Sequence, residues 1–343
     1  MKLQGDLEKQ QGIYYEAELN TQPIGIGGMG RVYKGWRISG DGTVKTPVAI
    51  KFVFEDLPRH AVARAKREAS IQLVNDNLLH MLAFIPTTGK DARGNTVEHY
   101  HVVSELLHGV TLSDLLEGKT TDFEGKSVPY AEEMLLLHSR QPEKFATVIV
   151  RQVLEGLMAL HNNGYIHRDI DPSNIMLTAD RHVKLLDFGI AKKLDMLDDD
   201  DSDYQDDPCQ TERLVGKMKY AAPELARSDV ASQNATTDIY AVGILLYQLL
   251  CGHLPFDGKM KEVMEKQINK PMPLEDISDK KLRDIVGQAT EKQQEKRYQT
   301  AADFANALAD TQSAPRPPVP IAVIISALAA AGIAVGIIVA LLI

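Results

Sequence analysis

The sequence of 343 residues lacks several features that mark particular classes of protein. Its two cysteines, Cys209 and Cys251, are too few for a disulfide framework and wrongly spaced for a metal site, so a reducing compartment is expected. Residues 1–11 are polar and charged, so no secretory signal is expected there. No internal repeat of the solenoid or propeller kind is present.

A surplus of positive charge is missing too. The net charge is −9, and residues 195–207 hold eight aspartates without a lysine or arginine. The rest of the chain is therefore close to neutral, and nucleic acid, whose phosphates need a basic surface, is not an expected partner. The remaining composition, 44% hydrophobic and 25% charged, favours a folded globular chain of two or three structural units.

The longest apolar run covers residues 321–343 and contains no charge. As a helix it would be about 34 Å long, against about 30 Å of bilayer hydrocarbon. We therefore expect a transmembrane helix anchored in a lipid bilayer, with a buried core helix as the alternative, and a proline-rich juxtamembrane linker over 311–320. Gly332 and Gly336 form a GxxxG pair through which two copies could form a homodimer.

Hydrophobic patterning predicts two different units before that run. The first hundred residues alternate short β-branched runs with turns, including a strand over Val44–Val53 and a helix over His60–Leu79. From Phe145 onward the pattern is helical, and Gly164 marks a helix end. A small, mainly β unit therefore precedes a larger, mainly α unit.

Three glycines near the N-terminus suit a phosphate-binding loop. Gly25, Gly27 and Gly30 have G-x-G-x-x-G spacing, which lets backbone N–H groups approach phosphate oxygens. A dinucleotide-binding fold would continue into a helix, but residues 31–37 have the pattern of a strand. Lys51 follows on the next strand and Glu68 on the next predicted helix, and a lysine fixed by a carboxylate can hold nucleotide phosphates.

A second group of motifs follows in the helical unit. HRDIDPSN spans His167–Asn174, DFG begins at Asp187, and APE ends at Glu224. Asp169 can accept a hydroxyl proton, and Asn174 and Asp187 offer the hard oxygen ligands that Mg²⁺ prefers. One such triplet is common by chance, whereas five elements in this order predict phosphoryl transfer.

With these motifs the chain resembles the serine/threonine protein kinases of the eukaryotic type, and especially their membrane-anchored bacterial members. The resemblance covers residues 12–310 and implies the two-lobed α+β kinase fold after an N-terminal extension, 1–11. The N-lobe would span 12–104, the hinge 105–109 and the C-lobe 110–310. It also implies ATP, magnesium with manganese as an alternative, and protein substrates.

The resemblance assigns roles to individual residues. Lys51 would pair with Glu68, Asp169 would be the catalytic base, and Asn174 with Asp187 would hold the metal. Nucleotide contacts would come from the glycine-rich segment, the ring sandwich and the hinge main chain: Ile24, Gly25, Gly27, Gly30, Val32, Ala49, Met176, Glu105 and Leu107, with Ser104 as gatekeeper. Asp238 would support the catalytic loop, and Arg297 would pair with Glu224.

One position departs from the family pattern. These kinases usually carry lysine two residues after the catalytic aspartate, where this chain has Asp171. Lys217 stands where the family has a threonine near the same place. We hypothesise that Lys217 pairs with Asp171 and supplies the missing cation, while the alternative leaves Asp171 facing solvent and Lys217 as a surface charge.

The aspartate-rich run lies between the DFG and APE motifs. It is either a solvated loop or a regulatory segment, in which Thr211, Ser202 and Tyr204 are candidate phosphorylation sites. In the family, the arginine equivalent to Arg168 binds such a phosphate. The eight aspartate carboxylates of residues 195–207 could partly imitate that phosphate.

Three functions remain open on the sequence. The first is an autophosphorylating serine/threonine kinase, and the alternatives are a catalytically weak pseudokinase scaffold and a small-molecule phosphotransferase. Arg316 beside the apolar run favours a single-pass protein with its kinase domain in the cytoplasm. Tail anchoring and a shortened receptor are both compatible with the pattern.

Overall fold

The computed structural model describes residues 1–27, 30–54, 73–90, 96–186, 192–193 and 218–312. Within these ranges the chain forms an N-terminal lobe around one antiparallel sheet and a C-terminal lobe made mainly of helices. This is the two-lobed α+β arrangement that the sequence predicted.

The N-terminal sheet has seven strands in the order β1-β2-β4-β5-β7-β6, with β3 also paired to β4. A short helix, α1, covers Asp6–Gln10. Residues 1–11, set apart above as an extension, therefore contribute one strand and one helix to this lobe. The strands are β1 Lys2–Leu3, β2 Ile13–Ala17, β3 Gly25–Gly27, β4 Gly30–Ser39, β5 Lys45–Val53, β6 Met81–Lys90 and β7 Thr96–Glu105.

Alternation along β5 divides the sheet into two faces. Val48 and Ile50 enter a core cluster on the outer face, together with Leu3 from β1. Val53 points to the opposite face and joins the main core that continues into the C-terminal lobe. Lys51 shares this face because it is two residues from Val53.

The C-terminal lobe contains five short strands and eight helices among the described residues. Its strands are β8 Gly109–Thr111, β9 Tyr165–Ile166, β10 Ile175–Thr178, β11 Val183–Leu185 and β12 Lys192–Lys193. Its helices are α2 Leu112–Leu116, α3 Pro129–Arg140, α4 Pro142–Asn162, α5 Pro223–Ala226, α6 Ala235–Cys251, α7 Met260–Asn269, α8 Lys280–Ala289 and α9 Ala301–Gln312. Single 3₁₀ turns form at Pro172–Asn174, Leu274–Asp276 and Gln294–Lys296.

Helices α4 and α6 form the centre of this lobe, and their ends follow local signals. Pro142 occupies the first turn of α4, where its missing N–H costs nothing. The chain leaves α4 through Gly164, whose φ of 77° favours glycine. The side chain of Asn234 caps α6 by accepting a hydrogen bond from the Thr236 amide at 2.8 Å. The predicted helical pattern from Phe145 to Gly164 is confirmed.

The strand predicted over Val44–Val53 is confirmed as β5, but the helix predicted over His60–Leu79 is wrong for its last seven residues. Residues 73–79 are not helical, since 76–77 form a turn and Leu78 forms a β-bridge with Leu185, and residues 60–72 lie outside the described ranges. The cause is local, since the Asn75 side chain accepts a hydrogen bond from the Asn77 amide at 2.8 Å, a turn that competes with helix formation.

In the part of the chain that the structure describes, no helix has the length and apolar character needed to cross a bilayer. The span predicted over 321–343, including Gly332 and Gly336, lies outside the described residues. It stays a prediction.

Candidate active site

The loop between β9 and the 3₁₀ turn is held by one buried carboxylate. Asp238, on α6, accepts hydrogen bonds from the backbone amides of His167 and Arg168, both at 2.8 Å. Its Oδ2 also lies 2.8 Å from Nε2 of His161. Arg168 has a φ of 63°, which is unfavourable for a residue with a Cβ, so these bonds fix a strained backbone. The prediction that Asp238 supports this loop is confirmed.

Burial alone would raise the pKa of Asp238, but His161 and the amide of His167 stabilise its charged form and hold the pKa below its ordinary value. The carboxylate therefore stays ionised near neutral pH, as its role in fixing two amides requires.

Asp169 and Asn174 are brought together by the same loop. Both are buried, and the Asn174 side-chain amide donates to the backbone carbonyl of Asp169 at 2.9 Å. The donor Nδ2 is used in this bond, which leaves the oxygen Oδ1 as the atom suited to a metal. The ring of His167 donates from Nε2 to the Leu186 carbonyl at 3.0 Å, and its Nδ1 accepts from the Asp169 amide at 3.3 Å. Leu186 directly precedes the predicted metal ligand Asp187.

Asp171 caps the 3₁₀ turn that carries Asn174. Its Oδ1 accepts from the Ser173 amide at 2.6 Å and from the Ser173 hydroxyl at 2.5 Å. The residue is only 8% exposed, so the alternative in which Asp171 faces solvent is wrong. The side chain turns inward because it satisfies an N–H at the start of the turn. Lys217, its hypothesised partner, lies outside the described residues.

The glycine-rich segment forms a tight hairpin of β3 and β4, with residues 28–29 outside the described ranges. Gly25 pairs with Val32, and Gly27 pairs with Gly30. A Cβ on Gly30 would lie 2.2 Å from the Phe52 carbonyl oxygen, so Gly30 is required for close contact with β5. Gly25 has no such crowding, since a Cβ there would meet nothing closer than 3.8 Å.

Strand register aligns the residues expected to surround the nucleotide base. Ala49 on β5 pairs with Ser104 on β7, and Val32 on β4 pairs with Lys51. Beyond Glu105 the chain leaves the sheet, and no backbone–backbone hydrogen bond in the described ranges uses Leu107. The Leu107 main chain can therefore bind a ligand edge. Ile24 holds the entrance of β3 through its amide, which donates to the Val32 carbonyl at 2.8 Å.

The C-terminal lobe supplies Met176, the residue predicted to cover the other face of the base. Met176 on β10 pairs with Thr111 on β8 and is partly exposed. Because Asn174 precedes β10 by one residue, the same strand positions Met176, which was predicted to contact the base, and Asn174, which was predicted to bind the metal.

A buried ion pair holds the APE segment. Arg297 donates to Glu224 through two parallel bonds, Nη1–Oε1 at 2.8 Å and Nη2–Oε2 at 3.0 Å. Burial would raise the pKa of Glu224, but the hydrogen bonds and charge of Arg297 hold it below its ordinary value. The predicted pairing of Arg297 with Glu224 is confirmed.

Residues 19–320 match the protein kinase domain family. The chain belongs to this family. It is 32% identical over 291 residues to the serine/threonine-protein kinase PknB of Mycobacterium tuberculosis, covering 82% of this chain and 40% of that protein. It is 29% identical over 307 residues to the serine/threonine-protein kinase pkn2 of Myxococcus xanthus, covering 85% of this chain and 32% of that protein. The chain thus spans less than half the length of these relatives.

Sequence reasoning about this kinase domain missed two links between its lobes. Oε1 of Glu105, the last residue of β7, accepts hydrogen bonds from Lys184 Nζ at 2.9 Å and from the His80 amide at 2.8 Å. A lysine inside the apolar strand β11, three residues before Asp187, was the available signal, because a buried lysine needs a partner.

The second link joins the glycine-rich strand to the segment after the hinge. Lys34 on β4 lies 2.7 Å from Glu124, and hydrogen bonds from Lys126 and Lys34 lower the pKa of Glu124 to about 2. His108 and Asp122 lie close to Glu124, and their side chains are 2.8 Å apart. No sequence motif marks this link.

Several predicted site residues are not placed by the structure. The following predicted residues lie outside the described ranges: Glu68, Asp187, Ser202, Tyr204, Thr211 and Lys217.

Proposed function

We propose that this chain is an ATP-dependent protein kinase that transfers the γ-phosphate of ATP to serine and threonine hydroxyls of proteins. The observation that carries the proposal is the buried loop in which Asn174 binds the Asp169 carbonyl while Asp238 fixes the preceding backbone. Phosphoryl transfer depends on positioning and charge neutralisation more than on covalent chemistry, and this loop is built to position two polar side chains.

In this proposal each site residue has a separate role. The Asp169 carboxylate accepts the proton of the acceptor hydroxyl, and Lys51, paired with Glu68, orients the nucleotide phosphates. Asn174 Oδ1 and Asp187 would hold Mg²⁺, or Mn²⁺ in its place; the hydrogen bond that uses Nδ2 of Asn174 and leaves Oδ1 fits that assignment. The bound metal would neutralise charge on the transferred group.

The base would lie between the two lobes. Val32 and Ala49 would cover one face of the adenine and Met176 the other, with Ile24 and the glycines of β3 and β4 closing over the phosphates. The main chain of Glu105 and Leu107 would bind the adenine edge, which the unused backbone groups of Leu107 support.

Asp171 places a carboxylate where the family usually has a cation. Its burial supports a compensating partner, because an isolated buried charge is costly. We propose that Lys217 is that partner and acts beside the γ-phosphate. If Lys217→Met leaves kcat and kcat/KM at wild-type values, this part of the proposal is wrong.

The proposal also covers how the protein is regulated and where it is located, which involves residues outside the described ranges. Phosphorylation at Thr211, Ser202 or Tyr204 would add negative charge that Arg168 can bind, in competition with its present hydrogen bond to Gln233 at 2.9 Å. The same proposal includes the domain limits given above and a cytoplasmic kinase domain. It also includes the single membrane span over 321–343 and the homodimer through Gly332 and Gly336.

A transfer assay with [γ-³²P]ATP and a generic protein substrate tests the proposed activity. We expect labelled protein with the wild-type chain and a loss of about 10²-fold or more with Asp169→Ala, since that change removes the base. The matched control is Asp310→Ala, an exposed aspartate at the end of α9. Label found only in a small molecule would favour the small-molecule phosphotransferase, and no transfer by folded wild-type chain would favour the pseudokinase.

A further inference from the structure

An ion pair joins β4 of the N-terminal lobe to the turn between α2 and α3 of the C-terminal lobe. Nζ of Lys34 lies 2.7 Å from Oε1 of Glu124, and only 27% and 24% of the two side chains are exposed. Both charges are therefore partly shielded from solvent, and salt screens such a pair less than one on an open surface. We call this pair the Lys34–Glu124 latch.

The turn that carries Glu124 is fixed to the C-terminal lobe through Asp122. Oδ1 of Asp122 accepts hydrogen bonds from the backbone amides of Glu124 and Lys126, both at 2.9 Å. Its Oδ2 lies 2.8 Å from Nδ1 of His108. The His108 carbonyl accepts in turn from the amide of Ala179, in the connection between β10 and β11, at 2.7 Å. The position of Glu124 is thus set by the C-terminal lobe.

The other end of the latch lies on the cleft face of β4. Lys34 is two residues after Val32, so the two side chains share a face of the strand. Tyr33, between them, points to the outer face, where its ring packs edge-on against Phe52 with centroids 5.5 Å apart. The lysine therefore extends from the same face that Val32 would present to the adenine.

Strand register places the latch and the hinge on opposite sides of the proposed base position. Lys34 pairs with Ala49 on β5, and Ala49 pairs with Ser104 on β7, next to the end of that strand. With neighbouring strands about 4.8 Å apart, Lys34 and Ser104 are separated by about 10 Å, and Ala49 lies between them. A hinge at one edge lets two lobes rotate apart, whereas a second link across the base restricts that rotation.

We propose that Lys34 and Glu124 are positioning residues that hold the two lobes together and so limit how fast a nucleotide enters and leaves the cleft. This inference rests on the proposed function. The base would lie between Val32 and Ala49 on one lobe and Met176 on the other, so it can leave only when the lobes move apart. That movement breaks the 2.7 Å contact of the latch. Opening steps of this kind set the turnover rate of many enzymes.

A latch and a direct ligand contact have different kinetic consequences. An ion pair between two protein groups must break for the nucleotide to enter as well as to leave. Its loss should therefore raise the association and the dissociation rate constants together and leave Kd nearly unchanged. Loss of a lysine that bound the nucleotide itself would raise the dissociation rate constant and Kd without faster association.

Stopped-flow fluorescence with mant-ADP and Mg²⁺ measures both rate constants on the full-length chain in detergent. Lys34→Met should raise each of them about three- to fivefold, the factor that a partly exposed ion pair contributes. The matched control is Lys126→Met. Nζ of Lys126 bonds the other oxygen of the Glu124 carboxylate at 2.6 Å, but Lys126 belongs to the same turn and joins no lobes. The control should keep the wild-type rate constants.

Two more variants show whether the ion pair itself is responsible. Lys34→Arg keeps the charge and the reach to Glu124, so it should retain the wild-type rate constants. Glu124→Ala should reproduce the effect of Lys34→Met, and the double variant should add little, because either change breaks the same contact. Raising the ionic strength should narrow the difference between the wild-type chain and Lys34→Met, since salt weakens the pair.

The outcomes separate this inference from the proposed function. Binding of mant-ADP with unchanged rate constants in Lys34→Met would overturn the latch and leave the proposed function standing. Faster dissociation without faster association would overturn the latch as well, since Lys34 would then be a nucleotide contact. Fully additive effects of Lys34→Met and Glu124→Ala would do the same. A folded wild-type chain that binds no mant-ADP would overturn the proposed function and, with it, the latch.

Discussion

Replacing Arg297 by methionine should destabilise the C-terminal lobe more than most single substitutions. Both members of its ion pair are buried, Arg297 to 2% exposure and Glu224 to 4%. Methionine has a similar length but no charge, so the change leaves a carboxylate without its cation inside the protein. Removing one partner of a buried pair typically costs about 3 to 5 kcal/mol.

The bonds of Arg297 support a value at the upper end of that range. Besides its two bonds to Glu224, it donates to the carbonyls of Thr236, Glu291 and Lys292 at 3.0, 2.7 and 3.2 Å. Arg297→Lys keeps the charge but offers three donors from one point in place of a planar fork. We therefore expect the lysine variant to lose about 1 to 3 kcal/mol, less than the methionine variant.

Urea unfolding followed by far-ultraviolet circular dichroism measures both losses. Arg181→Met is the matched control, because its partner Glu133 is 52% exposed and the pair should contribute at most about 1 kcal/mol. Adding Glu224→Gln to Arg297→Met should recover part of the loss, since the orphaned charge is then removed. A loss below about 1 kcal/mol for Arg297→Met, or additive effects of the two changes, would refute the reasoning.

The same pair predicts a pH dependence. Arg297 holds the pKa of Glu224 below its ordinary value of 4.5. A depressed carboxylate pKa gives stability that is present above the unfolded value and is lost as the pH falls through the folded value. The stability advantage of the wild-type chain over Arg297→Met should therefore shrink below about pH 4.5.

Three further substitutions test the loop and the hinge. Asp238→Asn should cost about 2 to 3 kcal/mol in urea unfolding and lower kcat, because an amide donor replaces an acceptor facing two backbone N–H groups; a wild-type kcat would contradict this. Asp171→Ala should lower the free energy of unfolding by about 1 kcal/mol, because the helix cap is lost. Asp171→Asn keeps an acceptor oxygen and should retain most of the wild-type stability. Equal losses of thermal stability in the two variants would count against the capping role. Lys184→Met should raise KM for ATP, because Glu105 loses the hydrogen bond from Lys184, while kcat should stay near its wild-type value. An unchanged KM in steady-state kinetics would show that the contact between Lys184 and Glu105 is dispensable.

Local pattern was enough to predict the strand over Val44–Val53 and the helical stretch from Phe145 to Gly164. Both depend on side-chain periodicity and on end signals that act within a few residues. The helix predicted up to Leu79 failed for a local reason as well, because the Asn75 side chain bonds the Asn77 backbone and ends the helical pattern. Periodicity does not register such a competing bond.

The motif spacing identified the family and the residues around Asp169 and Asn174, because catalysis of this kind needs set side chains at set intervals on one loop. Family resemblance also pointed to the pairing of Arg297 with Glu224. The motifs did not predict whether the Asp171 side chain points inward or toward solvent. Its inward position follows from a bond to Ser173 that only the folded 3₁₀ turn creates.

Taken alone, the sequence determined the fold class, the order of the two lobes and the family, since these depend on residue type and short-range spacing. Tertiary structure decided the bond between Lys184 and Glu105, 79 residues apart, and the bond between Lys34 and Glu124, 90 residues apart. Both require side chains from separate elements to meet. Such meetings depend on how whole lobes pack, which no local pattern encodes.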